Sequence, residues 1–412
     1  MHGGHSFDRA DHERILAAHE RYLDKWNFRS AFPSASALFV DAGNKLNETW
    51  GRILQVIRTD DASDFLVING REDQPIDSHS GLVDNQRNLK GDPAYIRAAL
   101  APLRPVVQPR GVVHAIGSFV PLDLFLLNET HHAVEGTLTV SVTTPDGKIA
   151  AIGSFPTPPY VENQFAYPIA EAVPGPTLVA EGHYTLSFAL RGNENAEGTT
   201  RIFAVDPAPR GPSTLRAGAI GDLKALASFT PHSAIAAEEF HLDGNFDLAI
   251  WLRDGKETVN GENAVRLNAL LAKVTLGLPL LVLAQSAKGA DEAAKLLSQA
   301  NAFTYAGPVG ESRGCWMGMW VFTKDHPGYA GLPSNQVMKW EYQVDFKDAS
   351  GLLVDGPNVE LIAGYGRDHD DVLGAATFTA RLGKGFVLFQ AVSGMHPVVY
   401  ERFIVNAARF LV

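Results

Sequence analysis

The chain has 412 residues, 45% of them hydrophobic and 20% charged, with 38 glycines and 24 prolines; at roughly 100–200 residues per domain, that length predicts two to four domains. A formal net charge of −11 argues against a nucleic-acid backbone as partner, which needs clustered Lys and Arg. The single cysteine, Cys315, excludes an internal disulfide framework and a cysteine-based zinc site. No apolar run reaches about 18 residues, so no membrane span is expected. The opening Met1-His-Gly-Gly-His5 has neither the basic nor the apolar part of a secretory signal, and the compartment, cytoplasm or periplasm, is left open.

Up to residue 105 the pattern is mainly helical. Asp8 or Asp11 can cap a helix in which Ile15, Leu16, Ala18, Tyr22, Leu23 and Trp26 recur at three- and four-residue steps. Two further helices are predicted over 36–42 and 48–57, the second with Trp50, Ile53, Leu54 and Ile57 on one face. A short apolar strand follows at 65–68 and ends in Asn69-Gly70, then a polar loop to Gly81, then a helix over 93–100. A strand set between helices is the unit of an α/β architecture, in which function gathers where the strand ends.

From 106 to 208 the period changes to two. Residues 137–143 and 184–190 alternate cleanly, and Thr144-Pro-Asp-Gly-Lys148 reads as the turn between strands. Six or seven short strands punctuated by Pro and Gly predict an antiparallel sandwich of the immunoglobulin type, without its cysteine pair. Pro207-Ala-Pro-Arg-Gly-Pro212 is the clearest linker. Beyond 213 the order becomes strand–helix–strand: strands at 246–252 and 278–284, helices at 260–273 and 290–300, later strands at 359–363, 375–380 and 386–391, and a closing helix at 397–411. This predicts an open, mostly parallel, doubly wound sheet.

Chemistry-bearing residues gather in one place, the loop after the first strand, with Asn69, Arg71, Glu72, Asp73, Asp77 and His79 in a short span. Carboxylates, an imidazole and an amide at a strand end suit acid–base work on a sugar, and equally suit a solvated loop with local turns. His2, His5, His12 and His19 lack the spacing of a metal site and read as exposed helix histidines. Ser286 stands on a strand-to-helix turn but without the Gly-x-Ser-x-Gly context of a nucleophile, and Cys315 is flanked by bulky apolar residues. The pairs Gly364/Gly366 and Gly383/Gly385 are turn glycines rather than phosphate fingerprints, so no cofactor is expected. Trp316, Trp320, Tyr329, Trp340 and Tyr342 cluster within a short stretch and read as packing residues before sugar-stacking ones.

Taken in order, several motifs resemble the C-terminal half of a bacterial subgroup of glycoside hydrolase family 2, proteins of the β-galactosidase kind. They are Asp64-Phe-Leu-Val-Ile-Asn-Gly-Arg-Glu72, Asp77-Ser-His-Ser-Gly-Leu-Val-Asp84, Arg87-Asn-Leu-Lys-Gly-Asp-Pro93, Asp123-Leu-Phe-Leu-Leu-Asn-Glu129, His326-Pro327 with Gly331-Leu-Pro333, and Gly383-Lys-Gly-Phe-Val-Leu-Phe389. The resemblance implies three domains: 1–105 as the tail of a (β/α)8 barrel, 106–208 as an immunoglobulin-like sandwich, and 213–412 as a flavodoxin- or amidotransferase-like α/β domain without a nucleophile, akin to the trimerisation domain of some β-galactosidases. It implies that Asn69, Arg71, Glu72 and His79 line a sugar site whose catalytic carboxylates lie outside this chain. Arg71 stands where similar sequences tend to place Trp, exchanging a stacking floor for a cation able to pair with an acidic sugar.

A barrel needs about 250 residues, so a second chain or a further segment would have to complete it. The expectation is a part or subunit of a family-2-like β-glycosidase, oligomeric and acting on carbohydrate. The alternative is a non-catalytic carbohydrate-binding or assembly protein with Trp316, Trp320 and Trp340 at an interface.

Overall fold

The computed structural model describes residues 6–62, 72–73, 81–84, 87–209, 211, 214–256, 261–309, 318–344, 347–367 and 370–412, without the side chains of 6–8, 72–73 and 261–262. The chain folds into two compact units with several sheets and seven helices among the described residues. Among the described residues, one unit takes those up to Ala42 together with Pro207–Val412, and the other takes those within Gly43–Asp73 and Gly81–Asp206. No helix is long and apolar enough to cross a membrane.

Helix α1 spans Ser6–Lys25 and α2 spans Ala35–Arg58. The two helices expected over 36–42 and 48–57 are therefore one. Gly43, Asn44 and Asn47 between them are poor helix formers, yet the helix runs through all three. Gly43 is there for another reason: a Cβ at this position would stand 1.9 Å from the carbonyl oxygen of Lys90, so only glycine lets the segment around Lys90-Gly91 lie against the helix. Asn47 Nδ2 donates to the carbonyl of Asp92 at 3.0 Å, and Asn44 Oδ1 accepts from its amide at 2.8 Å. These poor helix formers are the helix's contacts.

Strands β1 (Glu72–Asp73) and β2 (Val83–Asp84) form a two-residue parallel pair, and α3 spans Ala94–Ala99. The predicted strand at 65–68 lies outside the described residues. Before Leu103, β1 and β2 are the only described strands.

Eight strands follow where six or seven were expected: β3 (Leu103–Pro109), β4 (Val113–Ala115), β5 (Leu122–Asn128), β6 (Gly136–Thr143), β7 (Ile149–Pro156), β8 (Ala166–Val173), β9 (Gly182–Gly192) and β10 (Ala196–Val205). They make two sheets, β3-β5-β8 and β4-β10-β9-β6-β7, antiparallel except where β4 runs along β10. Side chains alternate as the pattern predicts. Leu138, Val140 and Val142 of β6 and Tyr184, Leu186, Phe188 and Leu190 of β9 point inward, and a shared core with Val107, Leu122 and Leu124 of the facing sheet closes the sandwich.

The other unit carries β11 (Leu215–Ile220), α4 (Leu223–Phe229), β12 (Ile235–Glu239), β13 (Leu248–Arg253), α5 (Gly261–Leu276), β14 (Leu280–Ala284), α6 (Ala287–Gln299), β15 (Thr304–Pro308), β16 (Met319–Thr323), a 3-10 turn Pro327–Tyr329, β17 (Leu352–Asp355), β18 (Glu360–Arg367), β19 (Gly374–Leu382), β20 (Gly385–Gln390) and α7 (Pro397–Leu411). They build one sheet, β12-β11-β13-β14-β20-β19-β17-β15, with β18 pairing β19 and β16 pairing β18. Only β12 to β20 in that order are parallel; the rest is antiparallel, which corrects the expectation of a mostly parallel sheet. The reason is short connections. Between β19 and β20 stand only Gly383, at φ +61°, and Lys384, a span that closes a hairpin, whereas a parallel return needs a dozen residues or more.

Buried on both faces, β14 is the near-continuous apolar strand foreseen, with Leu280, Val282 and Ala284 in the core formed with α5 and α6. The N-terminal segment joins this same core. Tyr22, Phe28, Phe32 and Leu38 pack around Trp320 and Phe322 of β16, and Tyr22 Oη donates to the carbonyl of Gly374 at 2.6 Å. This placement overturns the reading of the α1 histidines as exposed, because His12 and His19 are buried. It also removes Trp320 from any interface: it is 1% exposed within its own unit, beside Tyr329 and Tyr342, which are buried too.

Candidate functional site

The unit of Gly43 to Asp206 holds a groove of about 1150 Å³. Its floor is the outward face of β6, β9 and β10, where the strand alternation that sends leucines inward sends short side chains out: Thr139 and Ser141, Thr185 and Ser187, and Thr199. One wall is the last turns of α2. Glu48, Arg52 and Gln55 recur at i, i+4 and i+7 and so share a face, while Leu54 packs on Ile96 and Ala99 of α3. Tyr95 of α3 lines the groove and keeps 38% of its surface exposed.

The charges on this wall are ordered. Glu48, whose side chain is 7% exposed, receives Arg201 of β10 at 2.9 Å and Arg52 at 3.4 Å. Two guanidiniums thus occupy this carboxylate and hold it in place on the wall. Next to it, Gln55 Oε1 accepts from Arg104 Nη2 at 2.9 Å and from Nε at 3.3 Å. Burial, with a smaller contribution from the charge of Arg58, pushes the Arg104 guanidinium down to about 10. Arg58 is itself held by Glu129 at 2.7 Å and by the carbonyl of Ala101 at 3.0 Å. Glu129, next to the last residue of β5, is thus engaged in an ion pair. The groove offers amide, hydroxyl and guanidinium hydrogen bonding beside one partly exposed aromatic ring, and its lining also holds the carboxylates of Glu48, Asp92 and Glu197, of which Glu48 and Glu197 are paired with arginines.

Of the residues predicted for a sugar site, Asn69, Arg71 and His79 lie outside the described residues, and of Glu72 only the backbone is described, paired with Val83. Cys315 and Trp316 lie outside them as well. The groove itself was not foreseen. Its signal was present: a polar stripe at helical spacing on α2, and outward positions of three strands occupied by Thr and Ser.

The α/β unit has a second hollow of about 560 Å³ at the C-terminal ends of β11, β13 and β14, between Asp222, Arg253, Asp254, Arg266 and Gln285. In a doubly wound sheet this is the place for a ligand. Here the cations are engaged with carboxylates, Arg266 with Glu239 and Arg253 with Glu292. Ser286, on the turn after β14, is an N-cap. Its Oγ donates to the carbonyl of Asp254 at 2.5 Å and accepts from the amide of Gly289 at 3.0 Å, and no imidazole is among its partners. A hydroxyl hydrogen committed to a backbone carbonyl is not activated for attack. Ser286→Ala is accordingly expected to cost about 1 kcal/mol of stability in urea unfolding, with Ser286→Asp restoring most of it. A variant as stable as the parent would remove the capping role.

No protein-family model matches the sequence, and no curated protein matches it. Among solved structures, a β-galactosidase from Bacillus circulans sp. alkalophilus is similar over 48% of this chain and 31% of its own length, at 10% identity and a TM-score of 0.28. The chain thus spans about a third of that protein. The sporulation control protein Spo0M from Bacillus subtilis is similar over 26% of this chain and 51% of its own, at 17% identity and a TM-score of 0.16. A conjugative transposon lipoprotein from Bacteroides eggerthii is similar over 25% of this chain and 97% of its own, at 12% identity and a TM-score of 0.15. These likenesses are too slight to carry a fold or an activity to this chain.

Proposed function

We propose that this chain is a carbohydrate-binding component of a glycosidase assembly, and that the groove on the outer face of the five-stranded sheet is where it holds the glycan. The observation that carries this reading is the composition of the groove: a floor of small hydroxyl side chains and a wall of amide, guanidinium and carboxylate groups with Tyr95 alongside. Sugar hydroxyls are met by such groups, and a half-exposed phenol ring covers the apolar face of a pyranose while its oxygen stays wet. The catalytic carboxylates would come from a second chain or a further segment of polypeptide. The α/β unit then serves assembly, with Ser286 in a structural position.

The sandwich is read as immunoglobulin-like. Its division into three and five strands supports this, as does Tyr184 near the start of β9, whose hydroxyl accepts from the amides of Val179 and Ala180 at 2.9 Å each and donates to the carbonyl of Ala180 at 3.2 Å, as a corner tyrosine does.

The test is calorimetric titration of the full chain with a panel of plant and bacterial oligosaccharides, beside an assay on aryl glycosides. At least one series should bind, and Gln55→Ala or Tyr95→Ala should weaken it about tenfold, as loss of a hydrogen-bonding or stacking group would. The chain alone should release no aryl alcohol. Hydrolysis by the isolated chain, or a panel without a binder, would end this reading.

A further inference from the structure

We infer that the glycan held in the groove carries an anionic group, a carboxylate or a sulfate ester, and that Arg104 receives it. This rests on the glycan reading above and adds the substrate class. Arg104 is 8% exposed and lines the groove. Nε and Nη2 are satisfied by the neutral side chain of Gln55, and Nη1 has no protein partner among the described residues. Among the described residues no carboxylate pairs with it, and the neighbouring charge is another cation, Arg58.

The other arginines of this unit that form its ion pairs set the contrast. Arg52 and Arg201 share Glu48, Arg58 has Glu129, Arg110 has Asp123 and Arg191 has Glu197. A buried cation left without a counter-ion is costly, and proteins retain such a group where a ligand supplies the missing charge. A guanidinium fixed on one edge by Gln55 keeps further N–H groups for a planar or tetrahedral oxyanion, which a point-charge lysine would match less well.

The experiment compares size-matched neutral, carboxylated and sulfated oligosaccharides on the full chain by calorimetry at two salt concentrations, with sodium sulfate and polyglutamate as anions that are not glycans. One acidic series should bind at least tenfold tighter than its neutral counterpart and lose that margin at high salt; which series does so tells carboxylate from sulfate. In Arg104→Met the preference should fall at least tenfold while the melting temperature stays level or rises, since an apolar chain of similar length replaces an uncompensated buried charge. A merely structural arginine would instead lower the melting temperature. Arg104→Lys keeps charge and stem without the fork, and should retain part of the preference.

Equal binding of acidic and neutral glycans, or a preference that survives Arg104→Met, overturns this inference and leaves the glycan reading standing. Arg104-dependent binding of sulfate or polyglutamate with no glycan bound overturns both.

Discussion

Phe322→Ala is expected to destabilise the α/β unit by about 4 kcal/mol, within the range for emptying a buried phenylalanine site. Phe322 on β16 is fully buried and meets three aromatic rings brought by the N-terminal segment: Tyr22 at 5.9 Å, Phe28 at 5.1 Å and Phe32 at 5.7 Å between centroids, all edge-on. Edge-to-face contacts of this kind add to the area buried, so the truncation removes both the ring's burial and the arrangement that holds the segment after α1 in place. The loss can be read separately in this unit. Five of the six tryptophans, Trp26, Trp251, Trp316, Trp320 and Trp340, belong to it, and the other unit has Trp50 alone. Tryptophan fluorescence in urea should shift to a lower midpoint, while circular dichroism of the sandwich keeps its own transition. A cost under about 1 kcal/mol would mean that the N-terminal aromatics do not pack on β16.

Acid is expected to weaken the same unit before its carboxylates titrate. His326 is buried, its ring 4.5 Å from Phe410, and its Nδ1 accepts the amide hydrogen of Gly328 at 3.0 Å, capping the 3-10 turn. A nitrogen that accepts must be unprotonated. Burial pushes the His326 imidazole down to about 4, against an opposing pull from Glu360. His19 is displaced the same way by burial, with Nδ1 at 2.9 Å from the carbonyl of Ile15 and its ring between Phe39 and Trp320.

The sign follows from linkage. Below the ordinary histidine value near 6.5 the unfolded chain takes up protons that the folded chain refuses, so stability is full above that value and falls as pH drops towards about 4. For His326 the total is on the order of 3 kcal/mol. Urea midpoints measured from pH 7 to 4.5 should slope downward, and His326→Asn, which caps without titrating, should flatten much of that slope. An unchanged slope in the variant would place the acid sensitivity elsewhere.

Much of the architecture was legible in the chain because local patterns and burial agree there. The alternation in β6 and β9, the unbroken apolar run of β14 and the closing helix α7 are each dictated by which faces are covered. What stayed hidden depends on partners distant in sequence. Gly43 reads as a stop until Lys90 is seen against it, and His19 reads as exposed until β16 and its neighbours bury it. The groove was hidden for the same reason. Arg104, Gln55 and Arg201 stand on three different elements, and nothing local in any of them announces a shared wall.

The placement of residues up to Ala42 in the same unit as the strands ending at Gln390 has a consequence for biosynthesis. A ribosome adding about 5–20 residues per second needs tens of seconds to pass from the first of these to the last. Through that interval the sandwich, contiguous in sequence, is free to collapse on its own core. Tyr22, Phe28, Phe32 and Leu38 meanwhile emerge without the sheet that will cover them. A segment translated well before the sheet that covers it is therefore among the last to find its place, and until then its apolar side chains are offered to nascent-chain chaperones.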